Sequence, residues 1–592
     1  MKLIRFLILL QLPAVLLLSC GPQEEKEDYE EKDEYEEKID YGPLEEYIEN
    51  TANRSIEEND IKGISAGFTD YCNDYRFEKG YGNTSDSSLF PMASVTKVVT
   101  SAAVMQIIQE GKLELDDKLS DHLPEFKLEK PYPDSPEITI RHIMTHTAGL
   151  TRDIMSKAQG YCPVETEEIL DYLNNHMQIA PAVYRHHYSN PGFELLALVI
   201  ENISGRSYQS YMRENILDSL GMGNSFFAEG NEGVETGFYT TLSDIGYNEM
   251  PVNYMAAGGL KSNVPDMLNF AEMLLQPSVN EDDGMLKEPY LEMMFSRQNA
   301  DVLLDHDVNI GASVFLEELP DPFSGKLVYH GGGAVFSNAV FIIAPDYGIG
   351  TVVFCNTAGS YELLMEMGRD IISKALEIKT GDEYKAQPRY IPREDSLSFQ
   401  EQRKITGNYY THSDIIRIKE HKEYEDSIVA LTGADTLSVN FFEDGYFSFR
   451  EGFYFKTDSI GEEKILFSLR DRALSPFGRH REIEEYSVPE SWEEAKGSYY
   501  VVDPCEKGSF LHYERLTVSV RDNKLFLGML PEKIIRDIYG ITSEMNILLE
   551  PVDEDTAIMQ GFGRYFSEPV FLDTENGTIE FSGLTFARPE PE

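Results

Sequence analysis

The chain has 592 residues, with 51 Lys and Arg against 103 Asp and Glu, a formal net charge of −52. That excess of negative charge argues against nucleic-acid binding and against attachment of the protein surface to anionic head groups. It favours solubility and a neutral or cationic substrate, and the length leaves room for roughly two to four domains.

Residues 1–19 read as a secretory signal. Lys2 and Arg5 form a basic start, Phe6 to Leu18 a mostly apolar core, and Leu17-Leu18-Ser19-Cys20 the cleavage end. That ending resembles a bacterial lipoprotein box, which implies that Cys20 becomes the lipidated first residue of a chain anchored to the cell envelope, periplasmic or at the outer surface. Cleavage without lipid is the alternative. The apolar stretch is short for a transmembrane helix, and no other stretch of the sequence reads as membrane-spanning. Residues 20–43 contain the run from Glu24 to Glu34, too charged to bury a core, and are expected to form a disordered tether. Its resemblance to surface-export signals points outward, and a plain solvated spacer is the competing reading.

Ser94-Val95-Thr96-Lys97 follows the extended, proline-marked segment Phe90-Pro91-Met92-Ala93. Val98, Val99, Ala102, Ala103, Met105, Ile107 and Ile108 predict a widely apolar, buried helix that stops near Gly111. Residues three apart share a helix face, so Lys97 is placed to reach Ser94 Oγ and take its proton. The helix N-terminus favours the negative charge that then develops. Tyr188-Ser189-Asn190 precedes Pro191-Gly192 and the helical pattern Leu195, Leu196, Leu198, Val199, Ile203, which sets the tyrosine on a loop ahead of a helix. His330-Gly331-Gly332-Gly333 lies between Lys326-Leu327-Val328-Tyr329 and the apolar run Ala339 to Ile343. With the turn at Pro345-Asp346-Tyr347-Gly348 and the return strand Thr351 to Phe354, it predicts a hairpin that brings bare glycine backbone to a substrate. Singly these motifs are weak. About two Ser-x-x-Lys matches arise by chance in a chain this long. Tyr71-Cys72-Asn73 and Tyr81-Gly82-Asn83 repeat the Tyr-x-Asn pattern, and a serine at a helix start is often only a cap. Their order and surroundings carry the argument.

Together with further stretches, these motifs resemble the serine β-lactamase-related hydrolases of the class C type, a group that includes DD-peptidases, D-aminopeptidases and esterases. The further stretches are Gly111 to Leu119 with Leu123-Pro124-Glu125-Phe126, Ile138 to Leu150, Ala257 to Ser262, and the helix from Val264 to Leu275. The resemblance implies a serine β-lactamase/transpeptidase-like α/β (α+β) catalytic domain over residues 44–379, an antiparallel sheet flanked by helices. It implies acyl transfer through a covalent acyl-enzyme. Ser94 is then the nucleophile, with Lys97 or the Lys97–Tyr188 pair as base. Tyr188 passes a proton to the leaving group, and Asn190, His330, Gly331 and Gly332 face the substrate. The oxyanion hole is implied to be the N–H groups of Ser94 and Gly333. No cofactor and no metal is called for. Penicillin-hydrolysing members carry Lys-Thr-Gly where this chain has His330-Gly331-Gly332. The exchange removes positive charge and a hydroxyl, which puts efficient penicillin hydrolysis in doubt. Esters, D-amino-acid peptides and β-lactams stay open as substrates.

His142 and His146, four residues apart, lack the glutamate of a metalloprotease helix and any evident third ligand, and read as structural. His186-His187 either line the site or merely sit on the loop that carries Tyr188, and the loop reading is preferred. Gly331-Gly332-Gly333 is followed by a strand, so it is no phosphate loop. Cys72, Cys162, Cys355 and Cys505 sit in a compartment that allows disulfides, with pairings open and Cys355 expected as a buried thiol.

The helical pattern from Leu363 to Leu376 closes the catalytic domain, and a polar linker over 380–398 follows. Period-two patterns then take over. Leu437, Val439 and Phe441 run into Asp444-Gly445 and out through Phe447 and Phe449; Leu516, Val518 and Val520 turn at Asp522-Asn523 into Leu525 and Leu527. Gly407-Asn408-Tyr409-Tyr410 and Gly497-Ser498-Tyr499-Tyr500 look like openings of two related units, 90 residues apart. Two small all-β, lipocalin-like barrels over 399–488 and 489–592 are expected, an arrangement that resembles D-aminopeptidases. They shape substrate access, bind a partner not identifiable from sequence, or simply stabilise the chain. The reading that results is a lipid-anchored serine hydrolase acting on a small-molecule or peptide substrate. Its rivals are a penicillin-binding-type sensor or peptidoglycan-binding protein that acylates with little turnover, and a silent scaffold.

Overall fold

The computed structural model describes residues 38–592 except 129–131, 133, 155, 157–165, 177, 229–235, 241–242, 248–251, 277–284, 303, 305–307, 385–390, 411–414, 422–426, 433–434, 461–462, 471–472, 481–486, 503–512, 522, 532, 534–535, 537–540, 542, 560–567 and 590–592. The expected signal, Cys20 and residues 20–37 of the expected tether lie outside the described residues, as do Cys162 and Cys505. The tether's last residues, 38–43, belong to the domain instead, because Tyr41 is buried and donates to Asp70 and the first helix starts at Gly42.

The N-terminal part is built on a seven-stranded antiparallel sheet. Its strands are β1 (Gly63–Asp70), β2 (Tyr75–Gly82), β3 (Asn309–Ile310), β4 (Phe315–Glu318), β5 (Lys326–Gly333), β6 (Asn338–Ala344) and β7 (Ile349–Cys355). They lie in the order β2-β1-β7-β6-β5-β4-β3. Alternation sorts their side chains between two cores. Val340 and Ile342 face one side, with Ile64, Phe68 and Val353; Ala339, Phe341 and Ile343 face the other, with Val352 and Phe354. On the first side pack α1 (Gly42–Glu58), through Leu44, Ile48 and Ala52, and the closing helix α5 (Tyr361–Thr380), through Leu364, Ile371, Ile372 and Leu376. On the second side lie α2 (Thr96–Gln109), α3 (Asn190–Ser204) and α4 (Val264–Leu275). All but two residues of α2 are buried, Gln106 and Gln109 being the exceptions, as its all-round apolar sequence requires. Each fully buried Val, Ile or Phe contributes about 1.5–3 kcal/mol. α3 has a sequence-encoded start and stop: Ser189 Oγ accepts from Gly192 N (3.1 Å), Pro191 occupies the first turn, and Gly205 ends the helix at φ +68°.

The C-terminal part is all β. Eight strands from Gly497–Val501 to Leu584–Ala587 close into a barrel. The preceding unit is a nine-stranded sheet whose outer strands, Asp435–Ser438 and Asn440–Phe441, are consecutive in the chain. The run Leu437 to Phe441 therefore does not form one strand. It breaks at Val439, and its halves form opposite edges of the sheet, so of the two expected barrels only the one over 489–592 closes among the described residues. The hairpin beyond pairs Phe441 with Phe447 as the alternation predicts. The two units open alike: Tyr409 Oη donates to Ile405 O at 2.8 Å and Tyr499 Oη to Ala495 O at 2.7 Å, each tyrosine fully buried. Both units lie against the catalytic part. Ile465 and Phe467 form a buried cluster with Leu304, and Ser156 N donates to Ser582 O. No helix among the described residues is long and apolar enough to cross a membrane.

Candidate active site

The chain enters α2 through a tight turn. Phe90-Pro91 pairs with Lys261-Ser262, Met92 N donates to Leu260 O (2.8 Å), and Ala93 is held at φ +44°, a left-handed conformation that costs energy for a residue with a Cβ. Residues Ala93–Val95 form a single 3₁₀ turn in which Ser94 is the half-exposed residue between buried neighbours. One turn on, Lys97 is fully buried, and its Nζ donates to Ser94 Oγ at 3.2 Å and to Ala257 O at 2.8 Å. Burial lowers the Lys97 pKa to about 7, partly offset by the negative charges of Asp153 and Glu194. Glu194, buried on α3, accepts from the backbone N–H groups of Met255, Ala256 and Ala257 (3.2, 2.9 and 2.9 Å) and is pushed by burial up to about 7. It therefore fixes the turn whose carbonyl holds Lys97.

Tyr188 arrives from the other side. Its hydroxyl is buried with no hydrogen-bond partner among the described residues. Such a phenol costs about 1–3 kcal/mol unless something binds to it. Burial raises its pKa; the Ser94 hydroxyl, close but short of a formed hydrogen bond, and the Arg152 guanidinium oppose the rise. Two cations lie over its ring, Lys97 Nζ and Arg152 Cζ, each 4.8 Å from the centroid. The His146 ring stacks on it at 4.0 Å. Asn190 is held by Asp153, whose carboxylate accepts from its side-chain amide, and by its own N–H to Arg152 O (2.9 Å).

β5 runs alongside. Its His330 is buried, kept neutral by that burial with a pKa of about 3, and its Nδ1 donates to Gly331 O at 2.8 Å. The position that would supply a cation in a Lys-Thr-Gly strand therefore supplies none here. The next two glycines come close to their neighbours, Gly331 to a side chain and Gly332 to backbone that cannot give way. A Cβ on Gly331 would lie 2.4 Å from the Tyr361 ring, and one on Gly332 would lie 2.2 Å from Met92 O, beside the nucleophile turn. Gly333 is open to solvent. Gly332→Ala is expected to push β5 off the Ser94 turn. It should cost about 1–3 kcal/mol by denaturant unfolding and, if the glycine strand supports the reaction, most of the activity of the folded fraction.

The structure thus brings Ser94, Lys97, Tyr188, Asn190 and the His330–Gly333 strand into one site. The histidines set aside as structural divide. His142 caps its own helix, its Nδ1 accepting from Thr139 N at 3.2 Å, whereas His146 lies under Tyr188. His186 and His187 lie on the loop that carries Tyr188, and they are packed inward. His186 packs edge-on against His146 and Phe315, and His187 is buried 3.8 Å from Glu568. Among the described residues no group of three acidic, histidine or cysteine side chains is placed to hold a metal. Cys355 is a free buried thiol and Cys72 is disulfide-bonded. Sequence reasoning missed Arg152, Asp153, Glu194 and Glu568. A charge within the apolar pattern of α3 was a signal for Glu194; Arg152 and Asp153 directly follow the recognisable Ile138–Leu150 run.

Fold and site together define a β-lactamase/transpeptidase-like protein with its serine–lysine pair at the head of a buried helix. The family model described as Beta-lactamase matches residues 48–375, more than half of the chain, and the chain belongs to that family of serine hydrolases. It is 28% identical over 248 residues to "Beta-lactamase-like protein 2" of Dictyostelium discoideum, covering 38% of this chain and 44% of that protein. It is 31% identical over 173 residues to "Protein flp" of Staphylococcus aureus (strain MW2), covering 26% and 32%. The chain thus spans less than half the length of these relatives. Among solved structures, "Crystal structure of SurE with D-Leu" shares the fold at a TM-score of 0.51 and 19% identity, covering 74% of this chain and 100% of that one.

Proposed function

We propose that the protein hydrolyses an ester or a peptide amide, D-amino-acid amides included, through an acyl-enzyme on Ser94. Neutral Lys97 takes the proton of Ser94 as Oγ attacks the carbonyl carbon. The C–O or C–N bond then breaks, and Tyr188, kept protonated by burial, hands its proton to the leaving group and regains one from Lys97, which becomes neutral again. In the second half water attacks the acyl carbonyl and gives a proton to Lys97, and the acyl–Oγ bond breaks as that proton returns to Ser94 Oγ. The N–H groups of Ser94 and Gly333 receive the oxyanion, Asn190 and the His330–Gly332 backbone align the substrate, and neutral His330 offers no grip for a penicillin carboxylate. The carrying observation is the buried Lys97 amine, its Nζ 3.2 Å from Ser94 Oγ and its pKa lowered to about 7, close to the ideal for a base at neutral pH. Hydrolysis of p-nitrophenyl acetate and butyrate by the chain from residue 21, beside Ser94→Ala, tests it. Loss of turnover in the variant supports the proposal, and full retention refutes it. Wild-type protein that acylates once and stops would favour the sensor reading. Tyr188→Phe is expected to lower kcat by about 10²–10⁴, more for alkyl amides, whose leaving groups need the proton, than for p-nitrophenyl esters. Lipid attachment at Cys20, which would hold the enzyme at the cell envelope, belongs to the same proposal. Membrane fractionation of Cys20→Ala tests it, a variant that still sediments with membranes refuting the anchor.

A further inference from the structure

The segment Thr151-Arg152-Asp153 touches both Tyr188 and Asn190, and it is held from outside the catalytic domain. Glu568, at the entry to the barrel strand Pro569–Asp573, is 2% exposed. Its carboxylate accepts from the Thr151 hydroxyl and from Arg152 N, the latter at 2.7 Å across 416 residues of sequence. A neighbouring hairpin of the same barrel makes a second hold: Ser582 Oγ donates to Asp153 O at 2.7 Å. Beyond these anchored backbones, the Arg152 guanidinium lies over the Tyr188 ring and the Asp153 carboxylate holds the Asn190 amide.

We propose that Glu568 is a positioning residue for the active site, a carboxylate lent by the C-terminal barrel that sets Arg152 against Tyr188 and Asp153 against Asn190. This rests on the function proposed above, because the residues it positions are those of that site. The barrel is then a working part of the enzyme rather than an appendage. With His330 neutral and Lys97 neutral as the base, Arg152 is the lasting positive charge over the Tyr188 ring, and its place depends on a residue of another domain. A buried carboxylate on two donors is a directional anchor: removing it leaves the Thr151 hydroxyl and the Arg152 N–H to find other partners and frees the loop. Displacements on the 1 Å scale cost up to about 10² in rate.

The test uses the full soluble chain. Wild type, Glu568→Ala, Glu568→Gln and Ser582→Ala are compared for kcat and KM on p-nitrophenyl butyrate, with thermal midpoints measured alongside and rates expressed per folded molecule. Glu568→Ala is expected to lose about 10- to 100-fold in kcat with KM little changed. Glu568→Gln, which keeps an acceptor for Arg152 N, should recover most of the rate, and Ser582→Ala should lose a few-fold. Wild-type kcat per folded molecule in Glu568→Ala overturns the proposal. If Glu568→Ala does not fold, wild-type kcat per folded molecule in Ser582→Ala overturns it instead. Equal loss in the Gln and Ala variants also overturns it, because the hydrogen-bond anchor would then not be what matters. Activity that survives in Ser94→Ala is a separate failure, of the function and not of the anchor.

Discussion

Ser94→Ala is expected to lose ester turnover by about 10⁶-fold in kcat while keeping its fold. The size follows from the absence of a replacement nucleophile: around Ser94 lie the Lys97 amine held by Ala257 O, a buried phenol and glycine backbone. Stability should stay within about 1 kcal/mol of wild type, since Ser94 is half-exposed and Lys97 keeps its second bond to Ala257 O. Steady-state hydrolysis beside a thermal unfolding curve checks both halves. An inactive variant that also unfolds early would leave the loss to folding, which the intact bond to Ala257 makes an unexpected result.

Lys97→Met should be nearly as damaging, with kcat/KM down by about 10³–10⁴. The substitution keeps volume and apolar stem in a fully buried position and removes the amine, and with it the base and the hydrogen bond to Ala257 O. The pH profile separates this role from packing. Lys97 must be neutral to accept the serine proton, and its pKa is lowered to about 7 by burial. Wild-type kcat/KM should therefore fall as pH drops through about 7 and level off above it. In Lys97→Met that limb should vanish, leaving a low and flat rate between pH 5 and 8. A limb that persists in the variant would assign it to another group. Glu194, pushed up to about 7 and bonded to the turn that holds Lys97, is the group to examine next.

What was legible in the sequence was whatever short-range pattern encodes. The apolar face of α2, the cap and proline of α3, and the glycines of β5 each follow from residues adjacent in the chain, and they place Ser94, Lys97, Tyr188 and His330. The loss of positive charge at His330 was readable as a residue exchange, and burial completes it by keeping the imidazole neutral. The rest depends on contacts between distant segments. Glu568 meets Arg152 across 416 residues, and no local period marks a glutamate at a strand entry as a partner of an active-site loop. His146 carried no sign that it would stack under a phenol 42 residues on, because its own turn conforms to a structural role. The break at Val439 was hidden for the opposite reason: the period-two pattern continues through it unchanged, while the pairing partner changes from one edge of the sheet to the other.

The central claim is a covalent acyl-serine, and trapping that species tests it most directly. The soluble chain is mixed with p-nitrophenyl butyrate, quenched in acid during the first turnovers, digested and read by peptide mass spectrometry. The account predicts a butyryl adduct on the peptide that contains Ser94, appearing with the burst of p-nitrophenol, decaying as turnover proceeds and absent from Ser94→Ala. Sustained hydrolysis with no adduct on that peptide, or with the adduct on another side chain, would contradict it.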